Sequence, residues 1–253
     1  VRPLLRVDNL TRRYDGINAV DGVGLQLYPG QRHALIGPNG AGKSTLLGML
    51  AGTIRPSAGR ILLRGRDITS SGPHQRARLG MARTFQTPAV MRSLSVVDNV
   101  VMARWRHIPA SERWLRRRAV RHRALRHLDA FGLGPLASRS AGAISHGQRR
   151  LLEVAAAMSV RPAVLLLDEP AAGLSDEELL RLVEALRGLP ATTAILVVEH
   201  NQHLVRAVSE AVTVLHHGRV AAEGPYDRIQ ADAVVRDIYL GTGQKGLGHV
   251  SEP

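Results

Sequence analysis

The chain has 253 residues, no cysteine and a formal net charge of +13 from 34 basic and 21 acidic residues. Its 44% apolar content can build the core of one large domain, or of a domain with a subdomain, and the missing cysteines exclude disulfides and thiolate zinc sites. No apolar run approaches the ~18 residues of a membrane span, and the N-terminus VRPLLRVDNL lacks a secretory pattern, so the expectation is a soluble, cytoplasmic protein.

Residues 4–35 alternate in short segments with turn signals at Asp15-Gly16, Asp21-Gly22 and Pro29-Gly30, which predict small antiparallel strands. Residues 33–37 (HALIG) predict a buried strand entering a glycine-rich loop, 44–52 a helix closed by Gly52, and 60–64 a further strand after the turn at 56–59. Residues about 88–160 are rich in helix signals and arginine and hold both tryptophans, predicting a helical subdomain inserted into an α/β core. Three continuous apolar strands follow, VLLLD (164–168), AILVV (194–198) and AVTVLH (211–216), alternating with helical stretches near 176–188 and 201–208. That alternation is the pattern of a parallel sheet buried on both faces. Residues 217–224 predict a terminal hairpin, 225–240 short helices, and the glycine-rich tail from Gly241 a mobile end.

Gly37, Pro38, Asn39, Gly40, Ala41, Gly42, Lys43, Ser44 and Thr45 match the phosphate-loop pattern in full. The glycines let backbone N–H groups curl around phosphates, and the N-terminus of the following helix adds a favourable dipole. Lys43 is expected to neutralise phosphate charge and Ser44 to ligate Mg²⁺. All the other basic residues except Lys245 are arginine. Asp168 ends an apolar strand, where a carboxylate holds Mg²⁺ through water, and Glu169 beside it is placed to orient and polarise an attacking water. Without the phosphate loop, the same two acids would read as a structural capping pair.

The order of phosphate loop, Gln86, Ser145-x-Gly147-Gln148, Asp168-Glu169 and His200 resembles the ABC-type ATPases up to about residue 240. Within them the chain is most similar to the ATP-binding subunits of branched-chain amino acid importers. The similarity rests on RTFQTP (83–88), the arginine-rich insert near 104–126, GQRRLLEVA (147–155), DEPAAGLS (168–175), VVEH (197–200) and VRDIYLG (235–241). Urea and amide importers share this style. The resemblance implies an α/β phosphate-loop NTPase core with an antiparallel β subdomain and a helical subdomain, spanning residues 1–240 and followed by a flexible tail, 241–253. It also implies ATP and Mg²⁺ as cofactors.

The same resemblance implies roles for single residues. Tyr14 would stack on adenine, although taken alone it reads equally as a strand-end aromatic. Gln86 would touch Mg²⁺ or the water and signal to a membrane subunit. His200 would contact the γ-phosphate and help place the water. Ser145 and Gly147, with Gln148, would reach the γ-phosphate held by a second subunit, aided by the helix dipole. The implied partners are polytopic permease subunits, a second ATPase subunit (a different chain favoured over a second copy) and, indirectly, a periplasmic or extracellular solute-binding protein. The implied location is the cytoplasmic face of the inner membrane.

Two positions depart from the family pattern: His146 stands where a glycine is common, and Ser175 where an aspartate is common, with Asp176 shifted by one. Between Arg104 and Arg126 there are nine arginines and one acid, Glu112, while Val120, Ala124, Leu128 and Phe131 share one helical face. A packed helix with a solvated basic face is the favoured reading. The alternative is a surface for acidic headgroups or an acidic permease loop. A lipid or lipopolysaccharide exporter is a second reading of the chain. An ABC ATPase acting on DNA or ribosomes is a third, opposed by the single ATPase unit, the absent coiled-coil insert and the 3% aromatic content.

Overall fold

A computed structural model describes residues 2–105, 108, 111 and 113–241. The tail expected to be mobile beyond Gly241 lies outside the described residues.

Two sheets organise the chain. The first is antiparallel, with strand order β2-β1-β4-β5, built from β1 (Leu5–Tyr14), β2 (Ile17–Leu27), β4 (Ala58–Leu63) and β5 (Arg66–Asp67). Its first two strands are long rather than short. The Asp21-Gly22 signal marks a bulge inside β2 instead of a turn: the register shifts between Leu10↔Val23 and Arg12↔Val20. Gly22 there has φ 63 and donates its N–H to Thr11 Oγ1 at 3.0 Å, so the local chemistry of a turn is used to twist a strand.

The second sheet has the order β10-β9-β3-β8-β7-β6. Its strands are β3 (Arg32–Ile36), β6 (Met81–Arg83), β7 (Val164–Asp168), β8 (Ala194–Val198), β9 (Ala211–His216) and β10 (Arg219–Gly224). All neighbours are parallel except the β9–β10 hairpin. The central strands are apolar throughout because both faces are covered, and alternate residues enter different cores. Leu165, Leu167, Ile195 and Val197 face one core; Val164, Leu166, Leu196 and Val198 face the other.

The second of these cores lies under the antiparallel sheet and α1 (Lys43–Ala51), which Gly52 ends in a left-handed cap with φ 80. The first is filled by α3 (Val96–Trp105), α4 (Arg113–Asp129), α5 (His146–Ser159), α6 (Asp176–Arg187) and α7 (Gln202–Val208), with α8 (Tyr226–Ala231) and α9 (Ala233–Gly241) packed beside them. Val120, Ala124 and Leu128 are buried in it, as the spacing on α4 predicts; Phe131 is buried there too, but from the turn that follows the end of α4 at Asp129. The sequence signals do not mark the short α2 (Pro73–Arg78) or the three-residue β6.

Parallel neighbours β3, β8, β7 and β6 end at the same edge of the sheet. The phosphate loop, Glu199-His200, Asp168-Glu169 and the segment after Arg83 therefore emerge side by side, where ligands bind in open α/β sheets.

Candidate nucleotide site

The phosphate loop leaves β3 through glycines whose backbone tolerates no side chain. Gly42 has φ 100, and a Cβ there would lie 2.2 Å from the Ala19 carbonyl oxygen; Gly37 has φ 150, and a Cβ would lie 2.1 Å from Leu215 O. Gly218 N–H donates to Ala41 O at 3.0 Å, so strands from both sheets clamp the loop. Lys43, only 6% exposed, donates from Nζ to Gly37 O (2.7 Å) and Pro38 O (2.9 Å), folding over the loop. Burial lowers its pKa, while the charges of Glu169 and Asp168 act to raise it. Ser44 is exposed and Thr45 half-buried on the first turn of α1.

A cleft of about 490 Å³ opens beside this loop and is lined by Asn39, Gln86, Glu169 and His200 together with Ile36, Glu199, Gln202, Val205, Tyr226 and Tyr239. Glu169 sits in the left-handed backbone region, φ 47, with its N–H donated to Val198 O at 2.8 Å. That strained turn lifts its carboxylate out of line with β7 and into the cleft. His200 Nε2 lies 3.4 Å from Glu169 Oε1. Burial first, then the Lys43 charge, lowers the His200 pKa, with Glu169 opposing, so the neutral ring is favoured. Asp168 is buried; its N–H donates to Thr84 Oγ1 at 3.1 Å, and Oδ2 accepts from Arg83 Nη2 at 3.2 Å.

The motifs do not single out Glu199. Its side chain accepts from Ala171 N (2.8 Å), His200 N (2.7 Å) and Asn201 N (2.8 Å), tying the His200 turn to the segment after Glu169. Burial raises its pKa against those three bonds. A carboxylate ending an all-apolar strand is the same signal that singles out Asp168. Gln86 is held from behind: Arg150 donates to Phe85 O and Gln86 O, and Glu153 accepts from Phe85 N (3.0 Å) and Ala89 N (3.2 Å). No local signal in the sequence marks that pair.

Tyr14 and the Ser145–Gln148 turn do not line this cleft. Tyr14 is 40% exposed at the end of β1, with the Arg12 guanidinium 4.4 Å from its ring centroid. Ser145 caps α5: its Oγ accepts from Gln148 N and its N–H donates to Gln148 Oε1, each at 3.0 Å. Ser175 forms the equivalent box with Glu178 on α6, which accounts for a serine at that position. The two helix starts interlock, since a Cβ on Gly147 would lie 2.2 Å from Glu178 Oε2. The His146 ring is turned against Gly173, where a Cβ would lie 3.1 Å from Cδ2.

A phosphate loop, a carboxylate pair at the end of the next parallel strand but one, and a serine-capped helix on a helical arm define an ABC-type ATPase. Residues 20–172 match the family described as ABC transporter, and the chain belongs to that family. It is the ATP-binding, ATP-hydrolysing subunit of a transporter.

The chain is 38% identical to the high-affinity branched-chain amino acid transport ATP-binding protein BraF of Pseudomonas aeruginosa, over 95% of this chain and 98% of the relative. It is 36% identical to LivG of Escherichia coli K12, described in the same words, with the same two coverages. The lipopolysaccharide export system ATP-binding protein LptB of Acidithiobacillus ferridurans is 35% identical over 94% of this chain and 97% of its own length. Among solved structures, an ATP-binding cassette of an ABC transporter in its ADP conformation superposes with TM-score 0.82 at 28% identity, covering 95% of this chain and all of that one.

Proposed function

We propose that this chain powers a branched-chain amino acid importer and that its site residues divide the work of ATP hydrolysis between two subunits. The solute assignment is supported by BraF and LivG, which match nearly end to end. The observation that carries the catalytic reading is the gathering of Asn39, Gln86, Glu169 and His200 in one cleft against the phosphate loop.

The loop N–H groups and Lys43 bind the phosphates, with Lys43 exchanging its two carbonyl acceptors for phosphate oxygens. Glu169 orients the attacking water as its base, and His200, neutral and 3.4 Å away, fixes the carboxylate and faces the terminal phosphate. Ser44, Gln86 and Asp168 suit Mg²⁺: all three offer oxygen, and Asp168 has Oδ2 on Arg83 with Oδ1 left for a further ligand. When bound, that ion offsets the charge of the phosphate oxygens. Tyr14 stacks on adenine. Ser145, Gly147 and Gln148 complete the site of a second ATPase subunit, which is why they lie outside this chain's own cleft.

Residues 1–240 act as one cassette, with about 88–160 as its helical arm. No helix among the described residues is long and apolar enough to cross a membrane, and polytopic permease subunits supply that part, fed by a solute-binding protein on the far side. The cassette works at the cytoplasmic face of the membrane.

The test is co-purification of the tagged chain from its native membranes in mild detergent, followed by leucine uptake into proteoliposomes of the recovered complex. A permease pair, a second ATPase and ATP-driven uptake are expected. Recovery of lipopolysaccharide-export components would replace the import reading with the one LptB suggests, and ribosomes or nucleic acid as the only partners would remove transport altogether.

A further inference from the structure

Away from the nucleotide cleft, the ends of α3 and α5 and the middle of α4 enclose two adjoining clefts of about 360 and 830 Å³. Arg104, Arg123, Ser159 and Arg161 line both, and Arg126 and His127 extend the larger. The one acid lining them among the described residues is Glu184, in the larger cleft. No ion pair joins Arg104, Arg123, Arg126 or Arg161 to an acid among those residues.

Three features distinguish this cluster from a solvated basic face. Arg104 donates one Nη to Ser159 O, yet its Nε is buried with no acceptor among the described residues. A buried donor without a partner costs about 1–3 kcal/mol. Burial, followed by the charges of Arg123 and Arg161, lowers the Arg104 pKa, and among the described residues Glu184, the one acid at the larger cleft, pairs with none of these arginines. Arg161 stands just past the Val160 cap of α5 in the left-handed backbone region, φ 52, where glycine is the ordinary choice. A strained backbone there keeps a third guanidinium at the cleft it shares with Arg104 and Arg123.

We propose that this cleft binds a multiply charged phosphate group, held by Arg104, Arg123 and Arg161. Planar guanidinium forks hold phosphate oxygens in pairs, and a dianion would supply both the missing acceptor and the missing countercharge. A soluble phosphate ester and the phosphomonoester headgroup of a lipid present the same chemistry. The clefts share no lining residue with the nucleotide site, so this ligand is separate from the ATP that the cassette hydrolyses.

The experiment saturates the full chain with Mg-ADP, so that the phosphate loop is filled, and then titrates pyrophosphate by calorimetry. In parallel, phosphatidylcholine vesicles with and without phosphatidate are sedimented with the protein. The Arg123→Gln/Arg161→Gln variant is compared in both, with its ADP affinity and thermal unfolding checked against the unsubstituted chain. One added pyrophosphate per chain, or phosphatidate-dependent sedimentation, weakened at least about tenfold in the variant while ADP binding is unchanged, is the expected result. The first response identifies a soluble ligand and the second a lipid. Equal responses from variant and unsubstituted chain, or none from either probe, overturn the proposal.

Discussion

Arg150 and Glu153, one turn apart on α5, form a buried ion pair at 3.1 Å that also holds the backbone on both sides of Gln86, through the arginine Nη atoms and the carboxylate Oε1. The helix that begins at Ser145 is thereby fastened to the segment that enters the nucleotide cleft. On the proposed division of the work between two subunits, Ser145 serves one site and Gln86 the other, and a displacement of either would be carried to its neighbour through this pair.

Removing one charge of that pair leaves the other buried and unpaired. Glu153→Gln is expected to cost about 3 kcal/mol in urea unfolding and to lower ATP turnover. Replacing both, Arg150→Met with Glu153→Leu, is expected to recover part of the stability while turnover stays low, because Gln86 then loses its support. Normal turnover in the double variant would separate the pair from the site.

The phosphate loop has no room at Gly42. Gly42→Ala forces a Cβ against the Ala19 carbonyl in a backbone region that disfavours it. Fluorescent ATP titration should show binding weakened by more than about tenfold. Gly72→Ala is the control: φ is −74 and nothing lies within 4 Å, so its stability should stay within about 0.5 kcal/mol of the unsubstituted chain.

His33 supplies a pH dependence of known sign. It is fully buried in β3, with Nε2 2.7 Å from Thr213 Oγ1 and Nδ1 without a partner, and burial pulls its pKa down to about 4. Above the ordinary histidine value both folded and unfolded chains hold it neutral. Between about 6.5 and about 4 only the unfolded chain takes up the proton, so stability falls as pH falls through that window, by up to about 3 kcal/mol. Urea midpoints measured across the window should drop more steeply for the unsubstituted chain than for His33→Asn; parallel slopes would contradict the assignment.

Much of this site is legible in the amino-acid sequence. The residues from Gly37 to Thr45 and the pair Asp168-Glu169 announce themselves because a contiguous loop or a strand end carries the whole signal. The strands at 164–168 and 194–198 have the bounds that their apolar runs predict, since burial on both faces leaves no alternation to blur the ends. Arg150 and Glu153 are illegible for the opposite reason: their partners are some 65 positions away in the chain. Arg76 is another such case. Buried on α2, it donates to the carbonyls of Met49, Leu50, Ile68, Thr69 and Ser71, joining the end of α1 to the antiparallel sheet without leaving a motif. The Asp21-Gly22 pair shows a local signal used for another purpose, a bulge in place of a turn.

Single-turnover ATP hydrolysis by Glu169→Gln, with ATP affinity measured in parallel, decides the catalytic assignment. The amide keeps the shape of the side chain and removes the base. Hydrolysis should fall at least about a hundredfold with ATP affinity unchanged. Hydrolysis at the unsubstituted rate would show that Glu169 is not the group that activates the water, and the chemistry of the cleft would have to be rebuilt around another residue.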